Sequence, residues 1–463
     1  MLCRLAPRPL SAQLHIHRRR DPVSSLSASL LEREWMLPSP ATPIHKISLS
    51  KPHQSQLSHG LTPSQVSYSN EPRPALGAEA IGAREQTPSF FMVRDDLLHP
   101  LVNGNKARKL DALLPILQQY SATDIVTCGG CQSAHTAAVA VCCAERGIRS
   151  HLLLRGEQPD VPTGYNLISL MYGRTSYIAR PLYARRKELL LQHASEVAGG
   201  KGSIVWVDDI LGKDRYNSNL EGACVGHLDG FGSSINQGEV EEGSRRVVIV
   251  NEGADSVAGL LGVMRLVRYL SQTHLFGAKQ QIRIVVDAGT GTTAVGLALG
   301  VTLLGCVSKS NLNLHQSLSN RLPWKVTAVM LADPIERYKE RERCLTSNFK
   351  RFVPVKFSET STDGVGDGTL QWVERTHPRK FGKVWEGEIE ACRQIAQQTG
   401  ILVDPVYTLA AWEQAVLHSL EEIEKDVKVV MLHTGGTLGM FGLAQRYKPY
   451  FITSEQLTVH SLP

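Results

Sequence analysis

The sequence lacks the features that define several other classes of protein. It has no run of the ~20 uninterrupted apolar residues that a membrane-spanning helix needs, so we expect no membrane segment. Acidic residues are absent from positions 1–20, which hold five arginines, so most of the net charge of +6 belongs to this end of the chain. The remainder is nearly balanced, which argues against a basic nucleic-acid-binding face.

The arginine-rich start predicts a targeting segment. Arginine and serine without acids are typical of a mitochondrial or plastid transit peptide. We therefore expect residues 1–35 to be a disordered leader for mitochondrial import, with the plastid as the alternative destination. A disordered tail without a targeting role is the competing interpretation.

The nine cysteines follow no disulfide pattern and lack the spacing of a metal site. Cys128 and Cys131 form a CxxC that His135 follows, but the second ligand pair of a structural zinc site is missing. Cys142 and Cys143 are adjacent, and we expect them to be buried helix residues. The sequence therefore predicts no bound metal.

Short apolar runs alternate with helical patterns from about residue 90 onward. Most are unbroken stretches of Val, Ile and Leu, as in parallel strands that are buried on both faces. Several end in glycine just before a helix, which is typical of an open α/β sheet whose ligands lie beyond the carboxyl ends of the strands. The runs occupy residues 90–98, 124–130, 150–156, 202–209, 246–253, 282–291, 326–333 and 427–436.

Three segments interrupt this alternation. Residues 36–88 are rich in Ser, Pro, His and Gln and predict a mostly irregular approach to the first strand. Residues 227–244 and 357–378 predict exposed loops without chemistry of their own.

The stretch "VNGNKARKLDALL" (102–114) predicts a helix whose first turn is unusually basic. We expect the helix to begin near Asn105 as its N-cap. Lys106, Arg108 and Lys109 follow at once, although the helix dipole disfavours cations there by roughly 0.3–1 kcal/mol each. This placement predicts either a bound anion or a lysine whose pKa is lowered.

A glycine-rich loop after the 282–291 run predicts a phosphate site. Gly289, Gly291 and Ala294 match the dinucleotide pattern GxGxxA, but no Asp or Glu lies between Ala294 and Asp333 to hold a ribose. The phosphate half of the motif remains, because backbone N–H groups of 289–293 at a helix start suit one phosphate monoester. The loop hydroxyls that join them belong to Thr290, Thr292 and Thr293. Pyridoxal phosphate, which needs one lysine and one phosphate site, is one of several cofactors that fit this pattern.

Together the motifs resemble the pyridoxal-phosphate-dependent family of 1-aminocyclopropane-1-carboxylate (ACC) deaminases and D-cysteine desulfhydrases, and among these the plant organellar desulfhydrases. In "GNKARKLD" the resemblance implies that Lys106 forms the Schiff base and that Lys109 lies near the cofactor phosphate. It also implies the two-lobed α/β fold of tryptophan-synthase-β-like enzymes (fold type II), each lobe having a mainly parallel sheet flanked by helices. Residues 36–109 and 240–451 would form the large cofactor-binding lobe, and 110–226 the small one.

Further motifs supply the other expected site residues. "GGCQSAHTA" (129–137) resembles the family's substrate-carboxylate loop, with Ser133 as its catalytic serine and also a candidate helix cap. Here Ala134 replaces an asparagine that binds the cofactor's ring hydroxyl, and either His135 or a water takes over. "DPVYT" (404–408) places Tyr407 beside the reacting atoms, and "KFG" (380–382) puts Phe381 where ACC deaminases have a second tyrosine.

The resemblance also bears on which bond breaks. ACC deaminases follow the DPVY tyrosine with a glutamate that holds the cofactor's ring nitrogen protonated, whereas this chain has Thr408 there and Thr434 in "HTGG". A hydroxyl binds a neutral nitrogen but cannot keep a proton on it. We therefore assign the ring-nitrogen contact to Thr434, with Thr408 as second choice.

From these residues we expect β-elimination of D-cysteine to pyruvate, hydrogen sulfide and ammonia, with Lys106 as base. The alternatives are an ACC deaminase and a cofactor-binding homologue without turnover. The substrate would be a small amino acid. No nucleic acid or membrane partner is expected, and a homodimer is left open.

Overall fold

The computed structural model describes most of the chain in separate ranges. They are 41–50, 66–77, 87–102, 104–211, 244–307, 322–352, 365, 368–385, 387–422 and 426–452. The predicted leader (1–35) and nearly all of the predicted loop at 227–244 lie outside these ranges.

In the ranges that the structure describes, twelve strands form two separate sheets, as the alternating sequence pattern predicts. The strands are β1 (Ile44–Ser50), β2 (Ser67–Glu71), β3 (Ser89–Val93), β4 (Asp124–Gly130), β5 (Arg149–Arg155), β6 (Arg174–Ile178), β7 (Ser203–Trp206), β8 (Arg246–Ile249), β9 (Gln281–Ala288), β10 (Trp324–Met330), β11 (Leu370–Glu374) and β12 (Val427–Leu432). The larger sheet has the order β11-β10-β9-β12-β3-β1-β2, and the smaller has the order β6-β5-β4-β8-β7. Every predicted apolar run contains one of these strands.

Among the described residues, eleven α-helices cover the sheets. They are α1 (Asn105–Gln119), α2 (Ala134–Ala144), α3 (Gly164–Tyr172), α4 (Arg186–Ala198), α5 (Val257–Leu270), α6 (Thr292–Val307), α7 (Ile335–Phe352), α8 (Glu388–Thr399), α9 (Thr408–Glu421), α10 (Gly439–Arg446) and α11 (Lys448–Phe451). Within the part of the chain that the structure describes, no helix is both long enough and apolar enough to cross a bilayer.

The central strands are parallel and buried, as their Val- and Ile-rich sequences predict. The small sheet is parallel throughout. In the large sheet β11, β10, β9, β12 and β3 pair in parallel. At one edge β1 pairs antiparallel with both β3 and β2. Helices on both faces of such a sheet leave the carboxyl ends of the strands free for ligands.

The structure corrects three sequence-based boundaries. The segment 36–88 contains the antiparallel pair β1 and β2, whose alternating burial follows the pleat. The predicted loop at 357–378 contains β11, where Trp372 is buried and donates to Glu342 at 2.8 Å. The small sheet also contains β8 (Arg246–Ile249). This lobe therefore includes residues beyond its predicted end at 226, in the range that was assigned to the large lobe.

Candidate active site

The α1 start is packed tightly against the loop that follows β12. Gly104 has φ of +67°, and a Cβ there would come within 1.7 Å of the Thr434 carbonyl oxygen. The Asn105 amide donates to the same oxygen at 3.2 Å. Gly104 is therefore the N-cap and Asn105 the first helical residue, one position earlier than predicted, because only glycine fits this contact.

The three cations of the first turn have different roles. Arg108 is 1% exposed and forms a two-fold ion pair with Asp95, at 3.0 Å and 2.7 Å. Lys109 is also buried, and its Nζ donates to the Gly253 carbonyl at 3.1 Å. Arg108 is therefore part of a structural ion pair, which leaves Lys106 and Lys109 for the predicted bound anion or lowered pKa.

Burial lowers the pKa of both lysines and so favours the neutral amine. It lowers the pKa of Lys106, and the nearby carboxylates of Asp287 and Glu252 offset this only in part. Burial, together with the charges of Lys106 and Arg341, holds the pKa of Lys109 well below its usual range. A neutral lysine amine is the form that attacks an aldehyde, so Lys106 is suited to Schiff-base formation.

The predicted phosphate loop lies beside these lysines. Gly291 turns the chain with φ of +83°, and the Thr290 and Thr292 hydroxyls are 3.0 Å apart. Asn105 reaches across from α1 and donates to the Thr293 hydroxyl at 3.0 Å. The N–H groups in the first turn of α6 have no intrahelical acceptors, so the loop offers amide donors and hydroxyls to one anion.

A second turn closes this loop from the side of β8. At Gly253 a Cβ would come within 3.1 Å of Thr290, so the two turns are in contact. The neighbouring Asp255 accepts from the Thr292 hydroxyl at 3.0 Å and forms an ion pair with Arg341. Sequence reasoning missed Asp255 and Arg341, because their segments are far apart in the chain.

Ser133 has the local role that the sequence predicts for it. Its hydroxyl accepts from the Thr136 amide at 3.4 Å and so caps α2. A Cβ at Gly129 would come within 2.5 Å of this hydroxyl oxygen, so the glycine keeps space for it. Ser133 is half-buried, and its catalytic role remains a prediction.

His135 lies fully inside the site and leaves one nitrogen without a partner. Thr127 donates to the Val250 carbonyl at 2.7 Å, so His135 must donate from Nε2 to the Thr127 oxygen, 2.9 Å away. Its Nδ1 therefore carries no hydrogen and can only accept, and no described residue donates a hydrogen bond to it. Burial and the charges of Lys106 and Lys109 hold the pKa of His135 well below its usual range, which keeps the ring neutral.

Tyr407 lies at the start of α9 next to the phosphate loop. A Cβ at Gly289 would come within 3.4 Å of its ring, and the ring of Phe381 packs edge-on against it at 5.7 Å between centroids. Burial and the carboxylates of Asp404 and Asp287 raise the pKa of Tyr407, so it remains a protonated donor.

The structure does not support Thr408 as a free ring-nitrogen partner. Its hydroxyl donates to Asp404 at 2.8 Å, and the side chain is fully buried. Asp404 also accepts from the amides of Val406, Tyr407 and Thr408, as a carboxylate does that caps a helix start. Thr408 thus completes the start of α9.

Thr434, the first choice, donates its hydroxyl proton to Asp287. Asp287 lies in β9, two residues before Gly289, and is 4% exposed. Burial raises its pKa to about 6, although the Thr434 hydrogen bond acts in the opposite direction. Sequence reasoning missed this residue, although an acidic residue at the end of the buried run "IRIVV" was a signal for it.

Metal ligands do not converge anywhere in the described residues, where no group of three or more His, Cys, Asp or Glu has suitable geometry. Cys128 is buried, and burial raises its pKa to about 11. Cys131 donates to the Glu157 carbonyl at 3.3 Å.

Comparison with known proteins identifies the family. No family model matches the sequence. A protein of Oryza sativa subsp. japonica named "Putative D-cysteine desulfhydrase 2, mitochondrial" is 53% identical over 424 residues, which are 91% of this chain and 95% of the relative. The chain belongs to the family of D-cysteine desulfhydrases and ACC deaminases.

Other members of this family are more distant. The "Bifunctional D-cysteine desulfhydrase/1-aminocyclopropane-1-carboxylate deaminase, mitochondrial" of Arabidopsis thaliana is 22% identical over 76% of this chain and 73% of its own length. The crystal structure of an ACC deaminase homologue superposes with a TM-score of 0.54 at 20% identity, covering 78% of this chain and 89% of that one. This superposition confirms the predicted two-lobed, fold type II architecture.

Proposed function

We propose that this protein is a pyridoxal-phosphate-dependent carbon–sulfur lyase that converts D-cysteine and water to pyruvate, hydrogen sulfide and ammonia. The observation that carries the proposal is the pair Lys106 and Lys109, one half-buried and one fully buried lysine beside a loop that suits one phosphate. The names of the rice and Arabidopsis relatives support the substrate.

The residues fit this cofactor in charge and shape. Lys106 would hold it covalently, while the amides and hydroxyls of 289–293 and the Lys109 amine would bind its phosphate. The glycine at 253 leaves the space beside Thr290 that a larger residue would fill. The ion pair of Asp255 with Arg341 neutralises a carboxylate at this loop that would otherwise repel a phosphate.

His135, which lies close enough to Lys106 and Lys109 for their charges to lower its pKa, supports the same assignment. Its Nδ1 is a buried acceptor without a partner among the described residues, and such atoms are costly unless a ligand or water satisfies them. We assign it to the ring hydroxyl of the cofactor, in place of the asparagine that Ala134 replaces. The unprotonated nitrogen of a neutral imidazole accepts a hydrogen bond from that hydroxyl, whereas an asparagine amide donates a hydrogen bond to its oxygen.

Each catalytic residue has a role that matches its chemistry. Bound pyridoxal phosphate withdraws electrons from the substrate's Cα and so makes its proton acidic. Lys106 would accept that proton as the general base, since burial lowers the pKa of its amine and so favours the neutral form that takes up a proton. The β-sulfur would leave as hydrosulfide, the weakly basic anion of the hydrogen sulfide product.

Ser133 and Tyr407 orient the substrate. The amides after Gly130 and the half-buried Ser133 hydroxyl would receive the substrate carboxylate without an arginine. Tyr407, held protonated by burial, would donate a hydrogen bond near the sulfur. Phe381 occupies the position of the second ACC deaminase tyrosine and has no proton to transfer, which favours elimination over ring opening.

The proposed setting is the mitochondrion, in line with the names of both plant relatives, with the plastid as the alternative. The substrate is a small amino acid. We keep a homodimer as the proposed oligomeric state.

Purified protein incubated with D-cysteine, L-cysteine and ACC tests the proposal. We expect sulfide and pyruvate in equal amounts from D-cysteine, and little ammonia from ACC. Lys106→Ala should lower the sulfide rate by roughly 10²–10⁴-fold because the general base is lost. Phe381→Tyr is the matched variant for ring opening and should raise the rate with ACC. No turnover of any substrate would favour the non-catalytic alternative, and ACC turnover as fast as that of D-cysteine would favour the deaminase.

A further inference from the structure

A buried carboxylate lies one hydrogen bond away from the residue assigned to the cofactor's ring nitrogen. Asp287 at the end of β9 accepts the hydroxyl proton of Thr434. Both side chains are buried, at 4% and 8% exposure. The Thr434 carbonyl accepts from the Asn105 amide, so this pair lies directly beside the α1 start that carries Lys106.

The neighbouring carboxylate cannot substitute for Asp287. Asp404 is electrostatically close to it, but its two oxygens already accept four hydrogen bonds at the start of α9, from three amides and the Thr408 hydroxyl. Gly436, with φ of +95°, also packs onto it, since a Cβ there would come within 2.5 Å of Asp404 Oδ2. Asp287, in contrast, is joined through Thr434 to the loop that follows β12.

The direction of this hydrogen bond decides what Thr434 can offer. A hydroxyl has one proton, and here it goes to the carboxylate. The Thr434 oxygen is then left with acceptor lone pairs only, and the adjacent negative charge strengthens them. A ring nitrogen that forms a hydrogen bond with this oxygen must therefore be protonated and donate it.

We propose that Asp287 acts through Thr434 as a carboxylate–hydroxyl relay that keeps the ring nitrogen of the cofactor protonated. Asp287 is then a positioning residue, which supplies through a hydroxyl the charge that a directly bound glutamate supplies in ACC deaminases. The inference rests on the proposed function, because it needs the cofactor to be bound.

This relay reverses the sequence-based expectation of a neutral ring nitrogen, which considered the threonines without Asp287. A protonated ring withdraws electrons from Cα more strongly, so the elimination gains an electron sink. The preference against ACC then rests on Phe381, whose ring cannot transfer a proton.

The test is ¹⁵N NMR of the full chain reconstituted with pyridoxal phosphate labelled at the ring nitrogen, at pH 8, where the Asp287 carboxylate is ionised. We expect the shift of a protonated pyridinium nitrogen in the unmodified protein. Asp287→Asn, which keeps the side-chain size but removes the charge, should move the signal towards that of an unprotonated pyridine. Thr434→Val should do the same, whereas Thr434→Ser, which keeps the hydroxyl, should restore the pyridinium signal.

Thr408→Val is the matched control, because its hydroxyl serves Asp404, and we expect its signal to stay at the unmodified position. Bound cofactor with an unprotonated nitrogen in the unmodified protein would overturn the relay while leaving the proposed function intact. A pyridinium signal unchanged in both Asp287→Asn and Thr434→Val would also overturn it. Failure of the unmodified protein to bind the cofactor would instead defeat the proposed function, and the relay with it.

Discussion

At the scale of single residues, the basic first turn of α1 combines structural and chemical roles. Arg108 and Asp95 are 1% and 0% exposed, and their planar groups meet in two hydrogen bonds. A buried pair of this kind adds little net stability, but loss of one partner leaves an unpaired buried charge. Arg108 therefore fixes α1 to the turn after β3, and the two lysines beside it supply the chemistry.

We expect Arg108→Ala to lower the free energy of unfolding by about 3–5 kcal/mol, because Asp95 loses its partner in a dry environment. Urea denaturation followed by circular dichroism measures this. Arg185→Ala is the control, since Arg185 forms an exposed ion pair with Glu188, and its removal should change stability little. Equal effects of the two substitutions would contradict the structural role of Arg108.

At the scale of secondary-structure elements, Asp124 joins the central strands of the small sheet. It begins β4 and accepts from Arg149 twice at 2.8 Å and from His151 at 3.0 Å, both on β5. Burial alone would raise the pKa of Asp124, but these hydrogen bonds outweigh it and lower the pKa to about 2. The carboxylate therefore stabilises the parallel pairing of β4 with β5.

The pH dependence of this contribution follows from its sign. Because the pKa in the folded protein lies below the ordinary value of 3.8, the stabilisation is present above pH 4 and is lost as the pH falls towards 2. We expect Asp124→Asn to lower the free energy of unfolding by roughly 1.5–3 kcal/mol at pH 7, and much less at pH 2. Denaturation curves at both pH values measure the difference. An effect of equal size at the two pH values would exclude the carboxylate as its source.

The elements that the sequence predicts best are those with a local signature. The unbroken apolar runs predict the central strands, and the glycine loop predicts the turn between β9 and α6. The pattern fails for β11 and for the β1–β2 pair, because short or edge strands with mixed burial have no continuous apolar run. Composition alone made them resemble loops.

The functional residues divide in the same way. Lys106, Ser133 and Tyr407 lie in motifs and are predictable, whereas Asp287, Asp255 and Arg341 act through partners that are distant in the sequence. Thr408 shows the opposite case, since its motif position suggested a cofactor contact while its hydroxyl donates to Asp404, the carboxylate that caps α9. Whether a hydroxyl is free or already bonded depends on the folded geometry.

At the scale of the whole molecule, the chain before β1 is the part that needs an explanation of its own. The first 20 residues contain five arginines and no acids, and both plant relatives are named as mitochondrial. We propose that this segment directs import and is then removed. The site described above uses no residue from it.

We predict that the mature protein begins close to residue 36, after import and cleavage of the leader. N-terminal sequencing of the protein isolated from plant mitochondria and plastids measures both the cleavage site and the destination. A chain that still begins with Met1 and is found in the cytosol would contradict the prediction.

The most direct test of the account is to locate the lysine that holds the cofactor. Borohydride reduction of the purified holoenzyme, followed by proteolysis and mass spectrometry, should place the reduced pyridoxyl group on the peptide that contains Lys106. Lys109 lies three residues further on and serves as an internal control, since fragmentation of the same peptide distinguishes the two. Label on Lys106 alone is the predicted result. Label on Lys109 or another lysine, or a protein that carries no cofactor, would contradict the account.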